Sequence, residues 1–190
     1  DAVLTFVSVF AAVLLAFYVE GLRERRATEE RVRDHLRSWR TALEASVGDR
    51  VAHRERLERI DDALGRWLDL GSSGVEPAWA DLGSVSVGSV VSLNPLLLSG
   101  GASAVPADLM QQMLIADAGS ESLLRRGENL SRLFDHHVLP LVLAQVTWLS
   151  PEQRNAVERY RTELADLSDH VNVHLDQLDR IRERLDGAGS

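Results

Sequence analysis

The sequence predicts an all-α protein, in which an N-terminal transmembrane helix leads into a long antiparallel helical hairpin or bundle with a long Gly/Ser-rich loop and short helices. Three observations predict this fold. Residues 2–19 carry no charge, residues 22–70 hold a heptad pattern without proline, and residues 150–187 hold a second heptad pattern. Two long apolar stripes in one chain cover each other most simply as antiparallel neighbours.

The first element, residues 1–21, is predicted to be a membrane anchor. Its uncharged stretch spans roughly 27 Å as a helix, which is close to the thickness of the hydrocarbon core of a bilayer. Asp1 and Glu20 bracket the stretch, and Phe17 and Tyr18 lie where interfacial aromatic residues occur. The alternative is a secretory signal peptide, which has a shorter apolar run and a small-residue cleavage site.

One face of the predicted anchor carries small residues at every fourth position, namely Ser8, Ala12 and Ala16. Such a ladder lets a second helix approach closely, so we expect these residues to contact integral membrane protein subunits. The alternative is that small residues are simply frequent in membrane helices. Arg23 and Arg25 after the anchor favour a cytoplasmic domain under the positive-inside rule, but a more basic segment before Asp1 would reverse that orientation.

Residues 22–70 are predicted to form one long juxtamembrane helix. Two interleaved heptad series are apolar over residues 32–43 and again over 57–67, and both weaken near Gly48. The charged residues of the run 50–59 are predicted to lie on a solvated face of this helix.

Residues 150–187 are predicted to form the C-terminal helix that packs on the first one. Ser150 is suited to be its N-cap, with Pro151 at the first position and Gln153 at the third. Apolar residues then recur at spacings of three and four as far as Leu185, which is typical of a coiled-coil seam.

The two long helices are separated by a different kind of sequence. Residues 71–106 form a predicted Gly/Ser/Val-rich loop that is nearly free of charge. The loop is longer than is usual for a segment that only connects two helices. Val85 and Val87 alternate with serines there, which is compatible with a short strand. Residues 107–149 are predicted to form short helices, with a break before Ser120.

The large apolar side chains of the loop are predicted to make a partner contact together with the anchor. They are Trp79, Leu93, Leu96, Leu97 and Leu98. Monomeric proteins rarely leave an apolar patch of that size in water. The alternative is that these residues pack on the helices of their own chain.

Two motifs carry a resemblance to a known family. The basic run Leu22-Arg23-Glu24-Arg25-Arg26 follows the charge-free anchor, and Leu96-Leu97-Leu98-Ser99-Gly100-Gly101 precedes a short helix. In these motifs the chain resembles a broad family of bacterial single-pass membrane proteins with no known activity. The resemblance implies a basic segment before the anchor, and therefore a periplasmic domain. The chain departs from the family in having Gly21 and Leu22 where an aromatic residue usually follows the anchor.

The composition excludes several classes of function. Cysteine is absent and all 21 basic residues are arginine, which removes thiol nucleophiles, thiolate metal sites, the P-loop lysine and Schiff-base lysines. The net charge of -8 argues against a nucleic-acid partner. We therefore expect no catalytic residue, no cofactor, no metal and no small-molecule substrate.

The histidines were the strongest candidates for metal ligands. His170 and His174 are four residues apart on a helix, a spacing that can bind a metal, but His174 lies on the apolar seam, which favours a buried, hydrogen-bonded side chain. His136 and His137 are adjacent and therefore point in different directions on a helix.

Two classes of function remain. The first is a non-catalytic, membrane-anchored structural or accessory subunit that packs against and stabilises a larger bacterial membrane protein complex, of which respiratory and photosynthetic assemblies are examples. The alternative is a single-pass membrane sensor with a helical-bundle extracytoplasmic domain. Both place the chain in the bacterial inner membrane and give it the lipid bilayer and integral membrane proteins as partners, and the resemblance favours a periplasmic soluble domain.

Overall fold

The computed structural model describes residues 2–70, 77–85, 87 and 105–187, with the side chains of the first helix described from Leu15 onward. The elements in chain order are α1 (Ala2–Leu68), a 3-10 turn (Trp79–Asp81), α2 (Ala107–Leu133), a π-helical turn (Phe134–Val138), α3 (Leu139–Leu143) and α4 (Pro151–Gly187). The described residues contain no strand, so the prediction of an all-helical fold is confirmed for them.

Helix α1 runs without interruption from Ala2 to Leu68 and passes through both Gly21 and Gly48. The predicted anchor lies mostly over residues 1–14, whose side chains are outside the described part. Within the part of the chain that the structure describes, no helix offers a stretch long and apolar enough to cross a membrane.

Helices α1 and α4 pack side by side in opposite directions, as the two seams predicted. Asp61 binds Arg161 through two hydrogen bonds of 2.7 and 3.0 Å, and farther along Arg40 Nη2 lies 2.6 Å from the Asp186 carboxylate. Because residue numbers fall along α1 while they rise along α4, the two helices are antiparallel.

Helix α2 is the third member of the bundle, and it corrects one prediction. The sequence predicted a helix break before Ser120, yet α2 continues through Gly119 and Ser120 as part of a helix of 27 residues. The reason is tertiary. Gly119 lies against His174 and Gln177 of α4, and the Ser120 hydroxyl bonds His174 instead of capping a helix.

The start of α4 has the capping box that the sequence predicted. The Gln153 backbone N–H donates to the Ser150 hydroxyl oxygen at 3.3 Å, and the Ser150 backbone N–H donates to the Gln153 side-chain oxygen at 2.9 Å. Each contact satisfies a backbone donor that has no partner within the helix.

The core of the bundle consists of two apolar clusters at different heights. The distal cluster, towards the C-terminal end of α1, contains residues of α1 from Leu57 onward and residues of α4 up to Leu175. The proximal cluster, towards the N-terminal end of α1, contains residues of α1 from Val32 to Leu43 and residues of α4 from Leu178 onward. Its members include Trp39, Leu43, Leu178 and Ile181, while Leu64, Leu164, Leu167 and Val171 belong to the distal cluster.

The described part of the connection after α1 packs on the distal cluster. Trp79 meets Trp67 edge-on, with ring centroids 5.3 Å apart, and the Tyr160 hydroxyl donates to the Gly83 carbonyl oxygen at 3.4 Å. Val85 is buried but belongs to no strand, so the suggestion of a short strand is wrong at that residue.

A buried polar layer as the candidate functional site

A layer of polar side chains separates the two apolar clusters. We call it the polar layer, and it consists of Ser46, Arg50 and His53 of α1, Ser120 of α2 and His174 of α4. All three helices contribute to it at the height where the proximal cluster ends and the distal cluster begins. The periodicity of the helices dictates this placement, since Ser46, Arg50 and His53 are spaced at four and three residues and therefore share the face of α1 that points inward.

Arg50 is the central member of the polar layer, and its position corrects a prediction. The charged run 50–59 was predicted to face solvent, and Arg56 and Arg59 do, but Arg50 is only 1% exposed. Within the described part of the chain, its Nε, Nη1 and Nη2 atoms have no hydrogen-bond partner. Burial lowers the pKa of its guanidinium, while the neighbouring Asp49 carboxylate opposes that shift. An arginine remains protonated even so, and the layer therefore holds a buried positive charge.

The two histidines of the layer are neutral at physiological pH. Burial, together with the charges of Arg50 and Arg56, lowers the pKa of His53 to about 4. Burial likewise lowers the pKa of His174 to about 4, with Arg50 acting in the same direction and Gln177 opposing it. A neutral imidazole has one N–H donor and one acceptor nitrogen, so each ring can donate to an acidic group while accepting from a hydroxyl.

One hydrogen bond within the layer ties α2 to α4. The Ser120 hydroxyl and His174 Nε2 lie 2.8 Å apart, which confirms the prediction that His174 is a buried, hydrogen-bonded residue. Two other polar atoms of the layer, the Ser46 hydroxyl and His53 Nε2, have no hydrogen-bond partner among the described residues. The layer is therefore rich in donors, positively charged and only partly satisfied.

The other histidines form no site among the described residues. His170 Nδ1 lies 2.7 Å from the Asp166 backbone oxygen, while His136 and His137 are exposed on the π-helical turn with their rings at 61° to each other. In the described ranges no three His, Asp or Glu side chains converge as metal ligands would.

The residues predicted to contact a partner have different surroundings. Ala16 is exposed on α1, and Trp79 is half-buried against Trp67. Others lie outside the described side chains: Ser8, Ala12, Leu93, Leu96, Leu97 and Leu98. The structure therefore shows that part of the Trp79 surface serves the fold itself, and the partner role of the whole set stays a prediction.

The N-terminal part of α1 extends beyond the bundle. From Leu15 to Arg31 no residue is buried, and Val32 is the first buried residue among the described side chains of α1. We call residues 15–31 the projecting segment. At 1.5 Å per residue it measures roughly 25 Å. At its end Leu15, Phe17 and Tyr18 are 63%, 69% and 66% exposed.

No family model, curated protein or solved structure matches this chain. The resemblance noted from the sequence motifs therefore stays an interpretation of those motifs.

The sequence contained a signal for the polar layer. Arg50 occupies the heptad series of Leu43 and Leu57. Ser46 and His53 occupy the companion series of Trp39 and Ile60. Their charge and polarity predict a solvated face, whereas their helical periodicity predicts burial. The structure agrees with the periodicity.

Proposed function

We propose that the chain is a non-catalytic, membrane-anchored structural or accessory subunit that packs against and stabilises a larger bacterial membrane protein complex, such as a respiratory or photosynthetic assembly. The observation that carries the proposal is the projecting segment. A single helix that leaves its bundle and exposes Leu15, Phe17 and Tyr18 at its end needs another surface to cover these side chains.

A bilayer is the surface that fits the sequence at this place. The exposed apolar residues continue an uncharged stretch that begins at Ala2, and Glu20, Arg23 and Glu24 follow it at once. In this proposal residues 2–19 cross the inner membrane, residues 20–31 form a stalk, and the bundle stands in the periplasm.

Partner contacts are proposed at three places. Ser8, Ala12 and Ala16 form the small-residue face on which a helix of an integral membrane subunit would pack. Trp79, Leu93, Leu96, Leu97 and Leu98 of the connection between α1 and α2 would meet the same complex outside the bilayer. Leu143 and Trp148, which are 75% and 79% exposed at the other end of the bundle, add a third apolar surface.

Replacement of Ala12 by Leu tests the subunit proposal. We expect Ala12→Leu to reduce the amount of partner that co-purifies from detergent-solubilised membranes, because the larger side chain separates the two helices, while the chain stays in the membrane fraction. Phe17→Leu is a matched control on the opposite face. Equal recovery of the partner with both variants, or a chain that alkaline carbonate releases from membranes, would refute the proposal.

Orientation is tested separately with a cysteine in place of Ser190. The chain has no native cysteine, so a Ser190→Cys variant gives a single labelling site. We expect reaction with an impermeant maleimide in intact spheroplasts. Labelling that occurs only after lysis would place the bundle in the cytoplasm.

The sensor is the second candidate function, and the polar layer is the observation that favours it. Structural bundles usually fill their cores with apolar side chains, because an unpaired buried charge is costly. In a sensor bundle, an unpaired buried charge such as that of Arg50 would bind a ligand. A stoichiometric partner that survives detergent supports the subunit, whereas stabilisation of the purified chain by a small ligand supports the sensor.

A further inference from the structure

We infer that the polar layer is a binding site for a small oxyanion, such as a carboxylate, phosphate or sulfate, that docks on the Arg50 guanidinium. This inference does not depend on whether the chain acts as a subunit or as a sensor.

The first argument is the unpaired state of Arg50. Its side chain is 1% exposed, and none of its three nitrogens has a hydrogen-bond partner among the residues that the structure describes. Removing an ion from water costs several kcal/mol unless a counter-charge and hydrogen bonds replace the lost hydration. A planar guanidinium with five N–H donors is best satisfied by an oxyanion that accepts two parallel hydrogen bonds.

The second argument is that Arg50 forms no ion pair with a described carboxylate. The described part of the chain pairs many of its arginines with carboxylates, as in Arg161 with Asp61 and Arg126 with Asp166, but no described carboxylate pairs with Arg50. Asp49, its neighbour in the sequence, is exposed. Between residues 82 and 107 the sequence contains no acidic residue at all.

The third argument is the chemistry of the groups around Arg50. His53 and His174 are neutral near pH 7 because burial lowers the pKa of each to about 4, so they add N–H donors without adding charge. The Ser46 hydroxyl and His53 Nε2 are buried and have no hydrogen-bond partner among the described residues. The Arg50 charge acts on both imidazoles, so the two rings lie near its guanidinium and are placed to donate to an oxyanion that Arg50 holds.

The fourth argument is the position of the layer. Apolar clusters lie directly on both sides of it, and in such a medium a charge-assisted hydrogen bond is stronger than in water. The same medium makes the unoccupied layer costly. Occupation by an anion is therefore expected to stabilise the whole bundle, since all three long helices contribute to the layer.

The test uses the full chain purified in detergent micelles. Its thermal unfolding is followed by tryptophan fluorescence during titration with sodium phosphate, sodium sulfate or sodium acetate, with ionic strength held constant by sodium chloride. We expect a saturable increase of the unfolding midpoint with at least one oxyanion, of roughly 5–10 °C at a hundredfold excess over the dissociation constant. The ranking of the three salts identifies which oxyanion fits best.

Two variants separate binding at Arg50 from general salt effects, because phosphate and sulfate stabilise most proteins through exclusion from their surfaces. Arg50→Met removes the guanidinium and keeps an apolar side chain, and we expect it to abolish the saturable part of the increase. Arg59→Met makes the same change at an exposed position of α1 and should behave like the wild type. An equal increase in all three proteins, or no saturable increase in the wild type, would overturn the inference.

A direct binding measurement covers the case in which Arg50→Met does not fold. Equilibrium dialysis with radiolabelled phosphate or acetate gives the dissociation constant for the wild type and for Arg50→Lys, which keeps the charge but lacks the planar fork. We expect a dissociation constant at least about tenfold higher for Arg50→Lys. An unchanged dissociation constant would show that the anion binds elsewhere and would overturn the inference.

Discussion

The two halves of α1 have the same secondary structure but different surroundings. In the half from Val32 to Leu68 a buried residue occurs at nearly every third or fourth position, and the side chains pack on α2 and α4. In the projecting segment no side chain is buried. An isolated helix of this length is marginal in water, because most helical stability in proteins comes from packing of an apolar face. The comparison teaches that the projecting segment needs a second surface, whereas the bundle half already has one.

The comparison is sharpest for a pair of leucines on the same helix. Leu64→Ala should lower the free energy of unfolding by about 2–5 kcal/mol, because the side chain is fully buried and its removal leaves a cavity. Leu22→Ala, at a position 37% exposed in the projecting segment, should change it by no more than about 0.5 kcal/mol. Urea unfolding of the purified chain, followed by tryptophan fluorescence, measures both values. Equal effects would mean that the projecting segment is packed in the isolated chain as well.

The next largest effect is the response of the bundle half to acid. The pKa of His53 and of His174 is lowered from 6.5 to about 4 in the folded chain, so the unfolded chain binds protons more readily between these values. The free energy of unfolding is therefore highest above about pH 6.5. It decreases as the pH falls towards 4, by up to about 3 kcal/mol for each histidine.

Urea unfolding at pH 7, 6, 5 and 4 measures this loss. The variant His53→Gln should show a shallower decline than the wild type, whereas His136→Gln, at an exposed position, should follow the wild type. A decline that is the same in both variants would exclude His53 as a source of the pH dependence.

The capping box at the start of α4 gives a smaller effect. Ser150→Ala removes the acceptor for the Gln153 backbone N–H, and we expect a loss of about 1 kcal/mol. Hydrogen exchange read by mass spectrometry should show faster exchange at the end of the bundle around residues 151–157 and unchanged exchange in the projecting segment. Faster exchange in both regions would show that the two halves of α1 are coupled more strongly than their contacts indicate.

The smallest expected effect concerns the ion pair between Asp61 and Arg161. Both side chains are about 40% exposed, at 38% and 41%, and this exposure screens the pair. Asp61→Asn should therefore cost no more than about 1 kcal/mol, although the pair is bidentate. Asp62→Asn is a matched control at the neighbouring exposed position. A loss above 2 kcal/mol for Asp61→Asn alone would show that the pair contributes more than a surface contact.

Much of the bundle could be predicted from the sequence, because it rests on local periodicity. The apolar positions of α1 and α4 repeat with the period of a helix, and Ser150 and Gln153 form a capping box that needs only four residues. Ser120 was misjudged because its hydroxyl bonds a residue 54 positions away. Local sequence gives no information about such a partner.

The polar layer was only half visible in the sequence, for a similar reason. The heptad series predict that Arg50 faces the core, whereas its charge predicts that it faces solvent. Which prediction holds depends on where the two apolar clusters lie along the three helices. The position of the clusters along the bundle depends on how α1, α2 and α4 are aligned. The alignment follows from contacts between distant residues, which a single sequence does not display.

The order of the helices along the chain also has a consequence for how the bundle forms. The ion pair of α2 with α4 joins residues 40 positions apart, Arg126 and Asp166, whereas the pair of α1 with α4 joins residues 100 positions apart. Closing the longer loop costs more entropy and takes longer. We therefore expect the hairpin of α2 and α4 to form first, with α1 docking last on a preformed groove. In a kinetic experiment Leu64→Ala would then mainly accelerate unfolding, whereas Leu123→Ala at the contact of α2 with the core would slow folding. Until α1 docks, the apolar faces of α2 and α4 remain open to other helices, and this interval is the time at which a neighbouring protein could compete for them.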